Sequence, residues 1–219
     1  MFILSCEPAT CAIPEWHKDI FVGHQETVTS GEGWSPGSLN LAQAFATHMR
    51  TLLAHGDITR LLVDLSRRPD DPERFSRFSM RLTDEQRRKL DERHHASYRN
   101  TLRQRIADEQ RRSGSAIHLT IRTDDRPGMA VVDLCHDPSR DLESNFVRSW
   151  AEALRAAAPE LPVSVEVDPN YGLSTVLREE FPENFGSVSL VVARSAFLDG
   201  RPMPWANLKR LLLESIPGH

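Results

Sequence analysis

Short apolar runs alternate with amphipathic segments along this chain. Apolar runs of strand length occupy residues 2–5, 61–65, 116–121, 129–134, 163–167 and 188–193, and such runs are typical of buried strands. Apolar positions at helical spacing predict helices at about residues 36–55, 83–112, 142–158, 175–181 and 204–216. This alternation indicates a single α/β domain over residues 1–219, with a mixed, mostly parallel sheet covered by helices on both faces.

Two of the predicted helices carry signals at their N-termini. Ser35 before Pro36 is typical of an N-cap followed by the first helical residue, and Gly56 is expected to close that helix. Thr83 and Gln86 fit a capping box, which opens the long charged helix. Because its arginines are interspersed with Asp and Glu, we interpret this helix as a solvated element with ion pairs rather than as a nucleic-acid surface.

Composition narrows the class of protein. The chain has 219 residues and a net charge of −4 at pH 7, so it can bury a substantial core but would repel a nucleic-acid backbone. No apolar stretch approaches the ~20 residues of a membrane span, and the first residues lack the pattern of a signal peptide. We therefore expect a cytoplasmic protein that binds neither nucleic acid nor membrane. Its three cysteines are expected to be reduced thiols.

Polar side chains follow three of the predicted strands. Glu7 and Pro8 come after the first strand, residues 64–67 after the second, and residues 122–125 after the third. In open α/β sheets a ligand binds in the crevice beyond the carboxyl ends of the strands. The sequence therefore predicts that these segments meet at one binding site.

Five segments stand out as motifs. They are residues 5–14 (SCEPATCAIP), 33–37 (GWSPG), 59–67 (TRLLVDLSR), 95–99 (HASYR) and 117–123 (IHLTIRT). In this order they resemble the N-formylglutamate amidohydrolase family, whose members are zinc-dependent enzymes that hydrolyse linear amides. The resemblance implies a fold like that of the zinc carboxypeptidases, in the phosphorylase/hydrolase-like group.

The departures from the family's motifs fall at its metal ligands. Pro8, Ser35 and Arg122 stand where the resemblance implies His, Asp and His, and Val192 stands near the position of a Glu suited to general-base work. Catalytic zinc needs three protein ligands. Proline has no side-chain donor atom, serine is a poor ligand, and protonated arginine has no lone pair to donate. We therefore expect no metal, no other cofactor and no catalytic residue.

Other pocket positions of the family are retained. The expected ligand-binding residues are Glu7, Arg60, Asp64, Arg67, His95 and Arg122. Arg122 places a positive charge where the resemblance implies Zn²⁺, and Arg60 and Arg67 are suited to bidentate binding of a carboxylate. Two alternatives stay open: Arg60 and Asp64 form a structural ion pair, and His95 is a histidine on a helix surface.

Two rival sites also stay open. A relocated metal would draw on Glu7, His17, His24, His118 or His136, although these residues lack tight ligand spacing. A thiol nucleophile would be Cys6 or Cys135. Cys135 precedes His136, but adjacent residues of a strand point to opposite faces and do not naturally form a dyad.

Three functions follow from these alternatives. The first is an inactive relative of the amidohydrolases that binds a small anionic ligand resembling an acyl amino acid, or a partner protein. The second is an active amidohydrolase that acts on N-formylglutamate or a related N-acyl amino acid, with zinc at a shifted site. The third is a structural or interaction protein with a vestigial pocket. The sequence disfavours the second and does not predict whether the chain forms homo-oligomers.

Overall fold

A six-stranded sheet forms the centre of the molecule. The computed structural model describes residues 2–168, 172–198 and 205–218. The strands are β1 (Phe2–Cys6), β2 (Leu53–His55), β3 (Ala116–Asp124), β4 (Val132–His136), β5 (Val163–Val167) and β6 (Phe185–Ala193). Their order is β2-β1-β3-β6-β4-β5, and every neighbouring pair is parallel except β4 with β6. The predicted mixed, mostly parallel α/β sheet is confirmed.

Helices cover both faces of this sheet. They are α1 (Gln25–Thr29), α2 (Ser38–Met49), α3 (Asp84–Leu90), α4 (Ser97–Ser113), α5 (Asp141–Ala157), α6 (Leu173–Glu180), α7 (Ser195–Leu198) and α8 (Trp205–Glu214). One core lies beneath α2, α5 and α8 and includes Leu4. A second core lies beneath α4 and α6 and includes Ile3. Consecutive residues of β1 thus point into opposite cores, as the pleat of a strand requires. No helix in the described part of the chain is long and apolar enough to cross a membrane.

The second strand is not where the apolar pattern predicts it. Residues 61–65 form turns and irregular backbone, although Leu62 and Val63 are fully buried. The helix predicted to reach Gly56 ends instead at Met49, where Arg50 adopts a left-handed conformation with φ of 51°. The chain then forms the short strand β2. An apolar run reports burial, and burial alone does not distinguish a strand from a buried loop.

The N-terminus predicted for α2 is also wrong, whereas the capping box is confirmed. Gly37, with φ of 85°, precedes the first helical residue, and no side chain caps the helix. The Ser35 hydroxyl instead accepts a hydrogen bond from Arg60 at 2.9 Å. At α3, the backbone N–H of Gln86 donates to Thr83 Oγ1 at 3.2 Å, and the Thr83 N–H donates back to Gln86 Oε1 at 2.9 Å.

The long charged helix is interrupted by a change of pitch. A π-helical turn, Asp91–Ala96, joins α3 to α4, and Gly114 ends α4 in a left-handed conformation. Several other boundaries also differ from the pattern. Strand β3 extends to Asp124 rather than 121, β4 spans Val132–His136 rather than 129–134, β6 begins at Phe185 rather than 188, and α8 ends at Glu214 rather than 216. The predicted start of the last helix at residue 204 lies outside the described residues.

Candidate functional site

A row of polar side chains crosses the middle of the sheet on the face covered by α4 and α6. In β3, His118, Thr120 and Arg122 alternate with the core residues Leu119 and Ile121, so the pleat puts all three polar residues on one face. Strand pairing sets Thr120 beside Ser5 of β1, and sets His118 beside Ser187 of β6. The register of three strands thus assembles this buried polar row.

His118 is held between two serine hydroxyls. Its Nδ1 lies 2.8 Å from Ser187 Oγ and its Nε2 lies 2.8 Å from Ser5 Oγ. Burial lowers the pKa of His118 to about 4, so the ring is neutral at neutral pH. Ser5 Oγ donates its only hydrogen to Glu7 Oε1 at 2.7 Å. Therefore His118 Nε2–H donates to Ser5, and Nδ1 accepts from Ser187.

Glu7 ends this chain of hydrogen bonds as a carboxylate. Tyr98 OH also donates to Oε1 at 3.0 Å, and Thr120 Oγ1 donates to Oε2 at 2.5 Å. Burial acts to raise the pKa of Glu7, but His118 and the hydroxyl donors of Thr120 and Ser5 outweigh it, and the pKa is lowered. A buried carboxylate that already accepts three hydroxyl hydrogens is a poor general base near neutral pH.

A small cleft opens beside Glu7. Its volume is about 60 Å³, and its lining residues are Glu7, Ser66, Arg67, His118, Thr120, Arg122, Asp168, Gly172, Leu173 and Ser174. The structure thus brings together three of the expected ligand-binding residues, Glu7, Arg67 and Arg122. Arg67 is engaged by acidic neighbours, since its Nη1 lies 2.9 Å from Asp71 Oδ2 and 3.0 Å from Glu73 Oε2.

Arg122 belongs to a group of three arginines at the carboxyl ends of the central strands, which we call the arginine cluster: Arg60, Arg122 and Arg194. Arg122 Nη2 donates to Ser189 Oγ at 3.3 Å, and Arg60 Nη2 donates to Ser35 Oγ. The Nε atoms of all three arginines are buried and have no hydrogen-bond partner among the described residues.

The other two arginines of the cluster act electrostatically on Arg60. Burial lowers the pKa of Arg60 and is the largest effect, and the positive charges of Arg122 and Arg194 also lower it. Asp64 and Asp124 act in the opposite direction without restoring the usual pKa. Arg60 is therefore a desolvated cation with positive and negative charges on both sides.

The other three expected ligand-binding residues, Arg60, Asp64 and His95, do not line the cleft. His95 is 2% exposed, so it is not on the helix surface, and its Nε2 lies 2.9 Å from the carbonyl oxygen of Arg67. Burial lowers the pKa of His95. Asp64 Oδ1 accepts hydrogen bonds from the backbone N–H and the hydroxyl of Ser66, at 3.0 and 2.6 Å. Both residues shape the loop that carries Arg67.

The positions expected for a metal do not fit zinc. The backbone N–H of Ser35 donates to the Pro8 carbonyl at 2.9 Å, so these two positions are adjacent in space. Ser35 also contacts the arginine cluster, because its hydroxyl accepts a hydrogen bond from Arg60. Proline offers no side-chain donor, the Ser35 hydroxyl is occupied by Arg60, and Arg122 is itself a cation. Within residues 2–168, 172–198 and 205–218, no group of three His, Cys, Asp or Glu side chains could hold a metal ion.

The remaining candidate residues are buried and unreactive. Val192 is fully buried in the core beneath α2, α5 and α8, on the side away from the polar row. Burial raises the pKa of Cys6 to about 12 and that of Cys135 to about 11. Both thiols are therefore protonated near neutral pH, and a protonated thiol is a weak nucleophile.

The sequence patterns did not predict one group of charged residues beside the site. Arg178 of α6 donates from Nε to Glu143 Oε1 at 2.9 Å and from Nη1 to Asp168 Oδ2 at 2.7 Å. We call these three residues the buried ion cluster. Glu143 Oε1 also accepts the N–H of Ser187 at 2.8 Å, which anchors the partner of His118. The sequence does contain a signal for Glu143. It precedes Phe146 and Val147 by three and four residues, so it lies on the apolar face of α5, and a carboxylate on an apolar face indicates a buried partner.

Two solved structures are similar to the chain over almost its whole length. One is the gene product Atu2144 from Agrobacterium tumefaciens, with a TM-score of 0.74 at 17% sequence identity, covering 98% of this chain and 88% of that chain. The other is N-formylglutamate amidohydrolase from Ralstonia eutropha JMP134, with a TM-score of 0.71 at 16% identity, covering 97% of this chain and 90% of that chain. No family model and no curated protein matches the chain in sequence.

These likenesses define the class of fold. The chain has the α/β fold of the Ralstonia N-formylglutamate amidohydrolase, which confirms the fold that the five motifs imply. At this level of identity the comparison extends to the fold, and the chemistry rests on the side chains of this chain.

Proposed function

We propose that this chain is a metal-independent member of the amidohydrolase fold that binds a small carboxylate ligand at the cleft beside Arg122. The arginine cluster is the observation that carries the proposal. The charges of Arg122 and Arg194 both act on Arg60, and each of the three arginines retains a buried Nε without a partner among the described residues. Buried polar groups are normally hydrogen-bonded, so such exceptions call for an explanation.

A bound anion supplies what the cluster lacks. Like charges held together raise the free energy of the folded state, and a carboxylate lowers it through charge-assisted hydrogen bonds. Arg122 is suited to this role because it lines the cleft and also belongs to the cluster. The name of the Ralstonia structure suggests an N-acyl amino acid, specifically N-formylglutamate or a close analogue, as the ligand. The cleft of about 60 Å³ would hold one carboxylate of this ligand, with the rest of the molecule outside it.

Hydrolysis is the less favoured function because the described residues of the cleft offer neither an available base nor a set of ligands that could activate a water. Glu7 has a lowered pKa and three hydroxyl donors. His118 is neutral, and serine hydroxyls occupy both of its nitrogens. With no fitting set of zinc ligands, nothing in the described residues would bring the pKa of water towards neutrality.

Thermal unfolding with and without ligand tests the proposal. N-formylglutamate at ~100 times its Kd is expected to stabilise the protein by about 2.7 kcal/mol, which corresponds to roughly 5–10 °C for a chain of this size. Its uncharged diamide is expected to give no shift. Arg122→Ala is expected to abolish the shift, whereas Arg210→Ala, which removes an exposed arginine of α8, is expected to preserve it.

Two results would overturn the proposal. One is the absence of a shift with N-formylglutamate and with other small carboxylates. The other is release of formate from N-formylglutamate by protein supplied with Zn²⁺, which would establish the amidohydrolase with a shifted metal site.

A further inference from the structure

One edge of the sheet presents unpaired backbone groups. Strand β5 is the last strand in the order and pairs only with β4. The N–H of Val132 donates to the Pro162 carbonyl at 3.1 Å, and the N–H of Asp168 donates to the His136 carbonyl at 2.7 Å. In a parallel ladder the even-numbered residues of β5 therefore face β4, and Val163, Val165 and Val167 direct their N–H and C=O groups outward.

Little in the described part of the chain protects this edge. Arg155 Nη2 donates to the Val163 carbonyl at 3.0 Å, and the outward groups of Val165 and Val167 have no partner among the described residues. The three valine side chains share one face of the strand, and Val165 and Val167 are 40% and 63% exposed. Natural edge strands are usually blocked by charges, prolines or bulges, so an exposed row of valines indicates a pairing surface.

We propose that two copies of this chain pair through β5 in antiparallel orientation, about a twofold axis at Val165. In this register Val165 lies opposite the partner's Val165, and Val163 lies opposite the partner's Val167. Every outward-facing residue then falls in a hydrogen-bonded pair, in which the two residues exchange N–H···O=C bonds. The Arg155 side chain leaves the Val163 carbonyl when the partner's Val167 N–H binds there. The two sheets become one continuous sheet.

The charge of Glu166 and the pairing of Val167 favour this register over the two registers that are shifted by two residues. Glu166 lies opposite the partner's Ser164, a hydroxyl that already donates within the chain to Glu166 Oε1 at 2.8 Å. A shift of two residues in one direction sets Glu166 opposite the partner's Glu166, and like charges directly opposite are destabilising. A shift in the other direction leaves Val167 without a partner.

The self-complementary register favours a second copy over an unrelated peptide. A twofold contact uses the same patch on both molecules and closes on itself. The valines of both copies would then form one apolar patch that extends from the core beneath α5, because Val163 packs against that core.

Introducing a charge at the twofold axis tests the proposal on the full chain. Sedimentation velocity of the wild type is expected to give twice the mass of one chain. Val165→Lys and Val165→Glu each set like charges opposite each other, so each is expected to raise the dissociation constant at least about tenfold, the ratio that 1.4 kcal/mol represents. An equal mixture of the two variants is expected to restore the doubled mass, and Val165→Thr is expected to keep it.

Thermal unfolding of each variant controls for folding, because Val165 is on a partly exposed edge and its substitution leaves the strand's bonds to β4 in place. A wild type with the mass of a single chain overturns the proposal and leaves β5 as a site for another protein's strand. A Val165→Lys variant that is as dimeric as the wild type also overturns it. A mixture of variants that stays monomeric rules out a twofold axis at Val165.

Discussion

Replacing Arg178 by Met removes the only positive charge of the buried ion cluster. The Arg178 side chain is 4% exposed, and those of Glu143 and Asp168 are 0% and 7% exposed. Methionine fills most of the space but leaves both carboxylates without a counter-charge. Breaking a buried ion pair in this way costs about 3–5 kcal/mol, because an uncompensated charge remains out of water.

That loss is a large fraction of the stability of a domain, which is typically about 5–15 kcal/mol. At roughly 2–4 °C per kcal/mol for a chain of this length, the melting temperature is expected to fall by roughly 6–20 °C. Circular dichroism melts at neutral pH measure the shift. The matched control is Arg210→Met, because Arg210 and Glu214 form a pair whose side chains are 64% and 58% exposed, and such surface pairs contribute about 0–1 kcal/mol. A melting temperature of Arg178→Met no lower than that of Arg210→Met would refute the reasoning.

Two further predictions concern buried titratable groups. Since the pKa of His118 is about 4, its ring signals in NMR spectra are expected to stay constant from neutral pH to about pH 5.5. Its contribution to stability is complete above the usual pKa of about 6.5 and is lost as pH falls towards 4; a midpoint near 6.5 would contradict the buried neutral ring. A thiol reagent is expected to label at most Cys11 rapidly in the folded protein, because burial raises the pKa of Cys6 and Cys135 to about 12 and 11. Rapid labelling of two thiols would contradict their burial.

The sequence predicts the layers of the fold better than its edges. Alternating apolar runs and amphipathic segments report which residues are buried, and this suffices for central strands such as β3 and β6. Strand β2 has three residues, of which one, Ala54, is buried, so it leaves no periodic signal. Residues 61–65 show the converse, because a buried loop satisfies its backbone through contacts such as the Asp64 N–H to the Arg74 carbonyl at 2.8 Å.

The sequence likewise predicts only part of the candidate site. Glu7 and Arg122 were predicted because they lie at or near the carboxyl ends of strands: Glu7 follows β1, and Arg122 is two residues before the end of β3. The position of a strand end can be estimated from a short stretch of sequence. Tyr98, Asp168 and Arg178 were missed because their contacts join segments far apart in sequence. The hydrogen bond from Tyr98 to Glu7, for example, spans 91 positions. No pattern within a short window reports such a contact.

The π-helical turn, Asp91–Ala96, has a consequence for how this site is encoded. A π turn holds about one residue more than an α turn, so it rotates every later side chain of α4 relative to α3. Tyr98 lies two residues after the turn, and its hydroxyl donates to Glu7. If the same residues were wound as a regular α-helix, Tyr98 would be rotated by roughly 100° around the axis, one residue's share of a 3.6-residue turn. The wide turn is therefore as much a part of the site as the tyrosine itself.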